Sequence, residues 1–306
     1  MKALSLAGIL VLSVIGAARA DPPRVVASIV PVHAIVAAVM AGVAVPALVV
    51  KGGGSPHAYA LRPSDARALA RANLVFWIGE GLETFLAKPL AALAGTARVV
   101  TLTDAEGIRH LPVRAGGAWE QRTEDDAGGE PGHATDPHVW LDPANAVAIA
   151  RAAAAALAGA DPDNRAIYAA NAERFAARAD ALDAEIEAFL APVRTTPYAV
   201  FHDAFQHFER RYRLNAVGAV TAGPQQQPSA KRIQWIGERI ETLGARCLFR
   251  EPQFAPALAE TIARDVNART GVLDPLGAAL EPGPDAYFAL MRGLARALRD
   301  CLTAGK

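Results

Sequence analysis

The stretch Asn164–Leu190, NRAIYAANAERFAARADALDAEIEAFL, contains no glycine or proline and is rich in Ala, Glu, Arg and Leu. Such residues lose little side-chain freedom in a helix, so the spacing predicts one long helix. At 1.5 Å per residue it would reach roughly 40 Å, the length of a domain. Periodicity leaves two readings open, a bridge between two domains or a surface helix of one. A bridge of this kind is stiffer than a Gly/Ser hinge and disfavours large clamshell motion.

On both sides of this helix, short β-rich apolar runs alternate with helical patterns, the rhythm of βα units and largely parallel sheets. Arg24–Val30, Val45–Val50, Leu74–Ile78 and Arg98–Leu102 read as strands before it, with a helix over Ser64–Ala72 that Ser64 is placed to cap. After it, Tyr198–Phe201, Asn215–Val220, Arg246–Phe249 and Gly271–Leu273 read as strands. Helices are expected near Asp203–Tyr212, Ser229–Leu243, Ala255–Asn267 and Asp285–Cys301. The expected fold class is therefore α/β, in two lobes with mostly parallel sheets. The boundaries expected are residues 21–160 for the first lobe, 161–191 for the linking helix and 192–306 for the second lobe.

The N-terminus has the anatomy of a secretory signal peptide over residues 1–20: Lys2, an apolar run, then the small-residue end Ala18-Arg19-Ala20. The apolar run is short for a membrane span, which needs about 20 residues. The mature chain is expected to start near Asp21 and to work in the periplasm. The full chain balances 31 basic against 31 acidic side chains with 52% hydrophobic residues. It has no basic block that would recruit nucleic acid or an anionic membrane, and a small partner is expected. In an oxidising compartment Cys247 and Cys301 are expected to close a disulfide rather than stay free thiols.

Pro112 to Pro137 breaks the pattern with five glycines, six acidic residues, Trp119 and His133. It reads as a mobile acidic loop. It is either a solvated connection without chemistry or, through Asp125, Asp126, Glu130 and His133, a weak metal-collecting arm.

The chemistry gathers in histidines at element junctions. His57 lies in Gly52-Gly53-Gly54-Ser55-Pro56-His57, between a predicted strand and helix. His138 follows Asp136-Pro137 and precedes Val139-Trp140-Leu141-Asp142-Pro143, and His202 follows the strand at Tyr198–Phe201. Ligands of α/β sheets gather outside the carboxyl ends of strands, and all three histidines sit at such places. Their spacing matches no short zinc motif, so by themselves they define only a candidate site.

The words around them closely resemble the zinc-specific solute-binding proteins of bacterial ABC importers, the ZnuA-type family. The matching segments are Gly54-Ser55-Pro56-His57-Ala58-Tyr59-Ala60-Leu61-Arg62-Pro63-Ser64-Asp65, Asp136-Pro137-His138-Val139-Trp140-Leu141-Asp142-Pro143, Phe201-His202-Asp203-Ala204-Phe205-Gln206-His207-Phe208 and Leu273-Asp274-Pro275-Leu276-Gly277. The resemblance implies two lobes bridged by one long rigid helix with the metal at their interface. It implies His57 and His138 as first-lobe ligands, His202 as second-lobe ligand, and Asp274 as a carboxylate that binds or closely approaches the metal, with water its competitor. It implies Zn²⁺ as transported ligand, an ABC permease membrane subunit as partner, a monomer, and a disulfide between Cys247 and Cys301. The chain departs from some members at Pro56, where they carry Glu. Manganese-type relatives place a carboxylate where this chain has His202, and neutral imidazoles suit Zn²⁺ better than Mn²⁺.

Among the other candidates, His33 could orient a ligand from behind or be satisfied locally, and His207 is read as packing or surface. Asp142 and Asp203 could accept a proton from a ligating imidazole, or cap helices. Three histidines with an open position also describe a hydrolytic zinc site. No HExxH segment or matching nucleophile arrangement accompanies them. A protein using zinc only for stability is the remaining class.

Overall fold

The computed structural model describes residues 21–93, 97–114, 116, 119, 135–221 and 228–304. The signal segment and most of the acidic loop, with Asp125, Asp126, Glu130 and His133, lie outside them. The first half runs β1 (Val25–Ala27), α1 (Val30–Val39), β2 (Ala47–Leu48), α2 (Pro63–Ala70), β3 (Leu74–Trp77), α3 (Thr84–Leu93), β4 (Arg98–Thr101) and α4 (Pro143–Ala160). The second half follows α5 (Arg165–Leu190) with β5 (Tyr198–His202), α6 (Gln206–Tyr212), β6 (Ala216–Thr221), α7 (Ala230–Thr242), β7 (Cys247–Arg250), α8 (Pro256–Asp265), β8 (Arg269–Val272) and α9 (Ala286–Thr303).

Two four-stranded sheets result, in the orders β2-β1-β3-β4 and β6-β5-β7-β8, with every pair parallel. The order is the same in both, and the connections leave β1 and β5 in opposite directions. That makes the carboxyl ends of β1 and β5 switch points, where a cleft opens. Both faces are covered, so β3 and β5 are buried at every residue.

Local chemistry adjusts the expected boundaries. β1 stops at Ala27 because Pro31 fits the first turn of α1, which claims Val30. The cap position of α2 is Arg62 rather than Ser64, and the Asp65 carboxylate accepts the Arg62 amide at 3.1 Å. Ser229 does cap α7, accepting from the Arg232 amide at 3.1 Å. β8 begins earlier than the apolar run suggested, pairing Arg269 to Val272 against β7.

The long helix α5 spans 26 residues and buries the stripe Tyr168, Ala172, Phe175, Ala179, Leu182 and Ile186. It packs on α1 and α4 of the first half and on α6 and α9 of the second. Asn171 Nδ2 donates to the Val39 and Ala41 carbonyls, closing the end of α1. Phe175 meets the rings of Tyr287 and Phe288 at 5.5 and 5.3 Å. Arg292 of α9 grips Glu185, and Arg211 of α6 grips Asp183. The helix is a docked beam. A single hydrophobic cluster runs from β1 through α4, α5 and α9 to β5, and a smaller one under α7 and α8 covers the other face of the second sheet. Cys247 of β7 and Cys301 of α9 form the expected disulfide.

Candidate metal centre

His57 lies in the segment between β2 and α2, where Gly52 takes φ +64° to turn the chain. A Cβ at Gly54 would stand 3.1 Å from the Tyr59 ring, so the loop packs tightly on itself. Tyr59 folds it back by donating to the Val49 carbonyl and the Asp65 carboxylate, both at 3.2 Å. His138 opens a single 3-10 turn, Val139–Leu141, held by partners far along the chain. Trp140 Nε1 donates to the Pro275 carbonyl at 2.9 Å, and Tyr287 Oη donates to the Trp140 carbonyl at 3.1 Å. Asp142 then caps α4, accepting from the Ala144 amide at 2.9 Å. His202 is the last residue of β5, at the switch point of the second sheet.

The fold brings these three together. Their ring centroids form a near-equilateral triangle of 5.4, 5.4 and 5.6 Å, and one ring nitrogen of each lies within 4.8 Å of the others. His138 Nδ1 donates to Asp136 Oδ1 at 2.7 Å, and the same oxygen accepts the His138 amide at 3.0 Å. His202 Nδ1 donates to Glu251, at the end of the neighbouring strand β7, at 3.2 Å. A carboxylate can only accept, so both imidazoles keep the proton on Nδ1 and offer the Nε2 lone pair.

The electrostatics suit a dication. Burial pushes His57 down to about 2, and His202 and His138 add to the effect, so it stays neutral and able to coordinate. At His202 burial lowers the pKa, but Glu251 outweighs it and holds the group above its ordinary value. Burial alone would raise Asp136; the charge and the two hydrogen bonds of His138, with His207 adding, hold it below its ordinary value. Asp136 and Glu251 are both buried behind the imidazole rings, an arrangement of two carboxylates suited to a divalent ion. The cavity, lined by Ser55, Pro56, the three histidines and Glu251 among others, is about 10 Å³. That is room for one water-sized or ion-sized occupant.

Asp274 lies outside the triangle and does not line the cavity. Its carboxylate accepts the amides of Leu276, Gly277 and Ala278 at 3.0, 3.0 and 2.6 Å, and Gln253 Nε2 at 3.2 Å, which fixes the Pro275–Leu276 wall. His33 donates Nε2–H to the Pro46 carbonyl at 3.0 Å and lies outside the cluster of three histidines, while its buried Nδ1 has no hydrogen-bond partner among the described residues. Asp203 pairs with Arg114 rather than with an imidazole. His207 is buried against the Asp136 carbonyl, which agrees with the packing half of its reading and not with the surface half. Glu251 escaped the sequence reading, although an acidic residue closing the apolar run Cys247-Leu248-Phe249 at a strand's carboxyl end was a usable signal.

Residues 25–301 match the family model described as zinc-uptake complex component A, periplasmic. The chain is 43% identical over 305 residues, 91% of each chain, to the high-affinity zinc uptake system protein ZnuA of Brucella suis biovar 1. Among solved structures it is similar to a zinc-bound ZnuA deletion mutant, at TM-score 0.78 and 25% identity, covering 94% of this chain and 100% of that one. It also shares its fold with the periplasmic zinc-binding protein TroA of Treponema pallidum, at TM-score 0.77 and 21% identity, covering 92% and 99%.

Proposed function

The chain belongs to the ZnuA family of periplasmic zinc-uptake components, and we propose accordingly that it captures Zn²⁺ outside the cytoplasm and delivers it to an ABC-type permease. The observation that carries the reading is the buried triangle of His57, His138 and His202, drawn from both halves of the chain and backed by two carboxylates. These histidines are the proposed ligands. Water supplies the fourth donor, and Asp274 acts on the site by holding the wall rather than by coordinating. The division into a first lobe, linking helix and second lobe, secretion through residues 1–20, and a monomer that meets the permease belong to the same proposal.

The protein acts as a carrier rather than a catalyst. A cavity of about 10 Å³ admits an ion and not a substrate beside it. Three imidazoles also favour zinc over manganese, which prefers oxygen-rich sites. The experiment is a titration of the chelator-stripped mature protein with Zn²⁺ and Mn²⁺. One tight zinc per chain, bound more strongly than manganese, is expected; tighter manganese binding would reverse the assignment.

A further inference from the structure

Each half of the chain braces the metal-bearing turn of the other. Asp203 follows His202 directly, and its carboxylate is held in a fork by Arg114, with Nε donating at 3.1 Å and Nη2 completing the pair. Arg114 Nη1 also donates to Glu209 of α6 at 2.7 Å, and the Trp119 ring covers the guanidinium at 3.3 Å. Arg114 comes from the first half, two residues beyond Pro112. Pro112 bridges Thr135, and the Leu111 carbonyl accepts the Asp136 amide at 2.8 Å. The guanidinium that fixes the His202 turn is thus tied to the segment that leads into His138.

The reverse brace comes from α6. His207 Nε2 donates to the Asp136 carbonyl at 3.3 Å, and its Nδ1 accepts from Asn145 Nδ2 at 3.5 Å. Asn145 in turn clamps Arg109, accepting its amide at 2.8 Å and donating to its carbonyl at 3.2 Å. Asp136 is the residue whose carboxylate orients His138. The connections close a ring: His202, Asp203, Arg114, the Leu111–Asp136 pairing, His138, and back through His207 along α6.

We propose that Arg114 and His207 are positioning residues for zinc, which set the spacing between His138 and His202 across the interface before the ion arrives. The inference rests on the three-histidine site proposed above. A bidentate, stacked guanidinium between two carboxylates fixes direction as well as distance, which a lysine cannot do. Partners behind a ligand commonly change metal affinity by about 10–100-fold when lost.

The test measures zinc affinity by chelator competition and the visible spectrum of the Co²⁺-loaded mature protein, for R114Q, R114K, H207F and H207Q. R114Q and H207F are expected to bind one zinc about 10–100-fold more weakly, with shifted Co²⁺ bands and a metal-free Tm near wild type. R114K keeps the charge and should fold even if R114Q does not; it is expected to show the same weakening. H207Q can donate to the same carbonyl and should return to within a few-fold of wild type. Wild-type affinity and bands in R114K and H207F, while H57A loses tight zinc, would overturn the brace and leave the site standing. Equal weakening in H207Q and H207F would overturn the hydrogen bond from His207. Loss of affinity that only tracks a lowered metal-free Tm would reduce both residues to fold stability. Should H57A keep tight zinc, the site itself falls.

Discussion

Which nitrogen an imidazole presents is decided by what its other nitrogen touches, and here Asp136 and Glu251 make that choice for His138 and His202. Alanine at His57, His138 or His202 removes a donor outright, and each is expected to weaken zinc by more than the roughly 10–100-fold that loss of an outer partner costs, read by chelator competition. E251Q belongs in the lower class, with a second signature. The carboxylate holds the His202 pKa above its ordinary value, so protons compete with zinc from a higher pH than at an ordinary histidine. Replacing it should weaken zinc at neutral pH yet move the acid loss of binding to lower pH. An unmoved acid limb would show that Glu251 does not control the His202 proton. Glu83 gives an independent pH test away from the ligands. Burial pushes its carboxyl from 4.5 to about 7 against the Ser28 hydroxyl and the Ile78 and Gly79 amides. The folded state then binds more protons than the unfolded one between those values, so stability from this group is present below 4.5 and is lost as pH rises to 7. E83Q should flatten the metal-free Tm across that window. The three proposed ligands were legible because each sits at the end of a readable strand or turn. Their supports were not, since Glu251 is 49 residues from His202 and Arg114 is 89 from Asp203. Asp274 was legible as an oxygen donor near the site, but no sequence pattern told that four hydrogen bonds would occupy its carboxylate.

Helix α5 was the clearest element in the sequence, because the lack of Gly and Pro and the choice of helix formers agree over its whole length. Its docking on both halves was not readable: the buried stripe fixes a face but not which neighbours fill it. Ala181 is exposed in this helix, so A181G should cost about 1 kcal/mol by propensity alone. A181P should cost about 3 kcal/mol or more and also weaken zinc, because the kink would shift the second sheet relative to the first. Zinc binding unaffected by a folded A181P would mean that the beam does not set the spacing of the ligands. The disulfide acts on a different element. It closes 54 residues between β7 and α9, worth about 4 kcal/mol in the chain-entropy account. α9 also packs on α1 and α5 and reaches the His138 turn through Tyr287. The pair C247S/C301S is therefore expected to lower Tm strongly while one zinc still binds. Short strands such as β2, two residues long, were placed from apolar runs but trimmed by the turns that flank them.

The two sheets repeat one strand order, yet they do not behave as separate bodies, because a single core passes through α4, α5 and α9 into both. An ion held by the three proposed ligands would add a further tie, and zinc at 1,000 times its Kd should stabilise the folded state by about 4 kcal/mol. The α/β class and the duplicated rhythm could be read from alternating patterns; the shared core could not, since it depends on α9 returning across the first half. The resulting molecule holds three imidazoles close together between its two sheets, backed by two buried carboxylates. X-ray absorption fine structure of the zinc-loaded mature protein tests the proposed three-histidine site most directly. Three imidazole nitrogens and one oxygen at about 2.0–2.1 Å are expected, lost together in the H57A/H138A/H202A protein. A shell dominated by oxygens, or one unchanged in that triple variant, would contradict it.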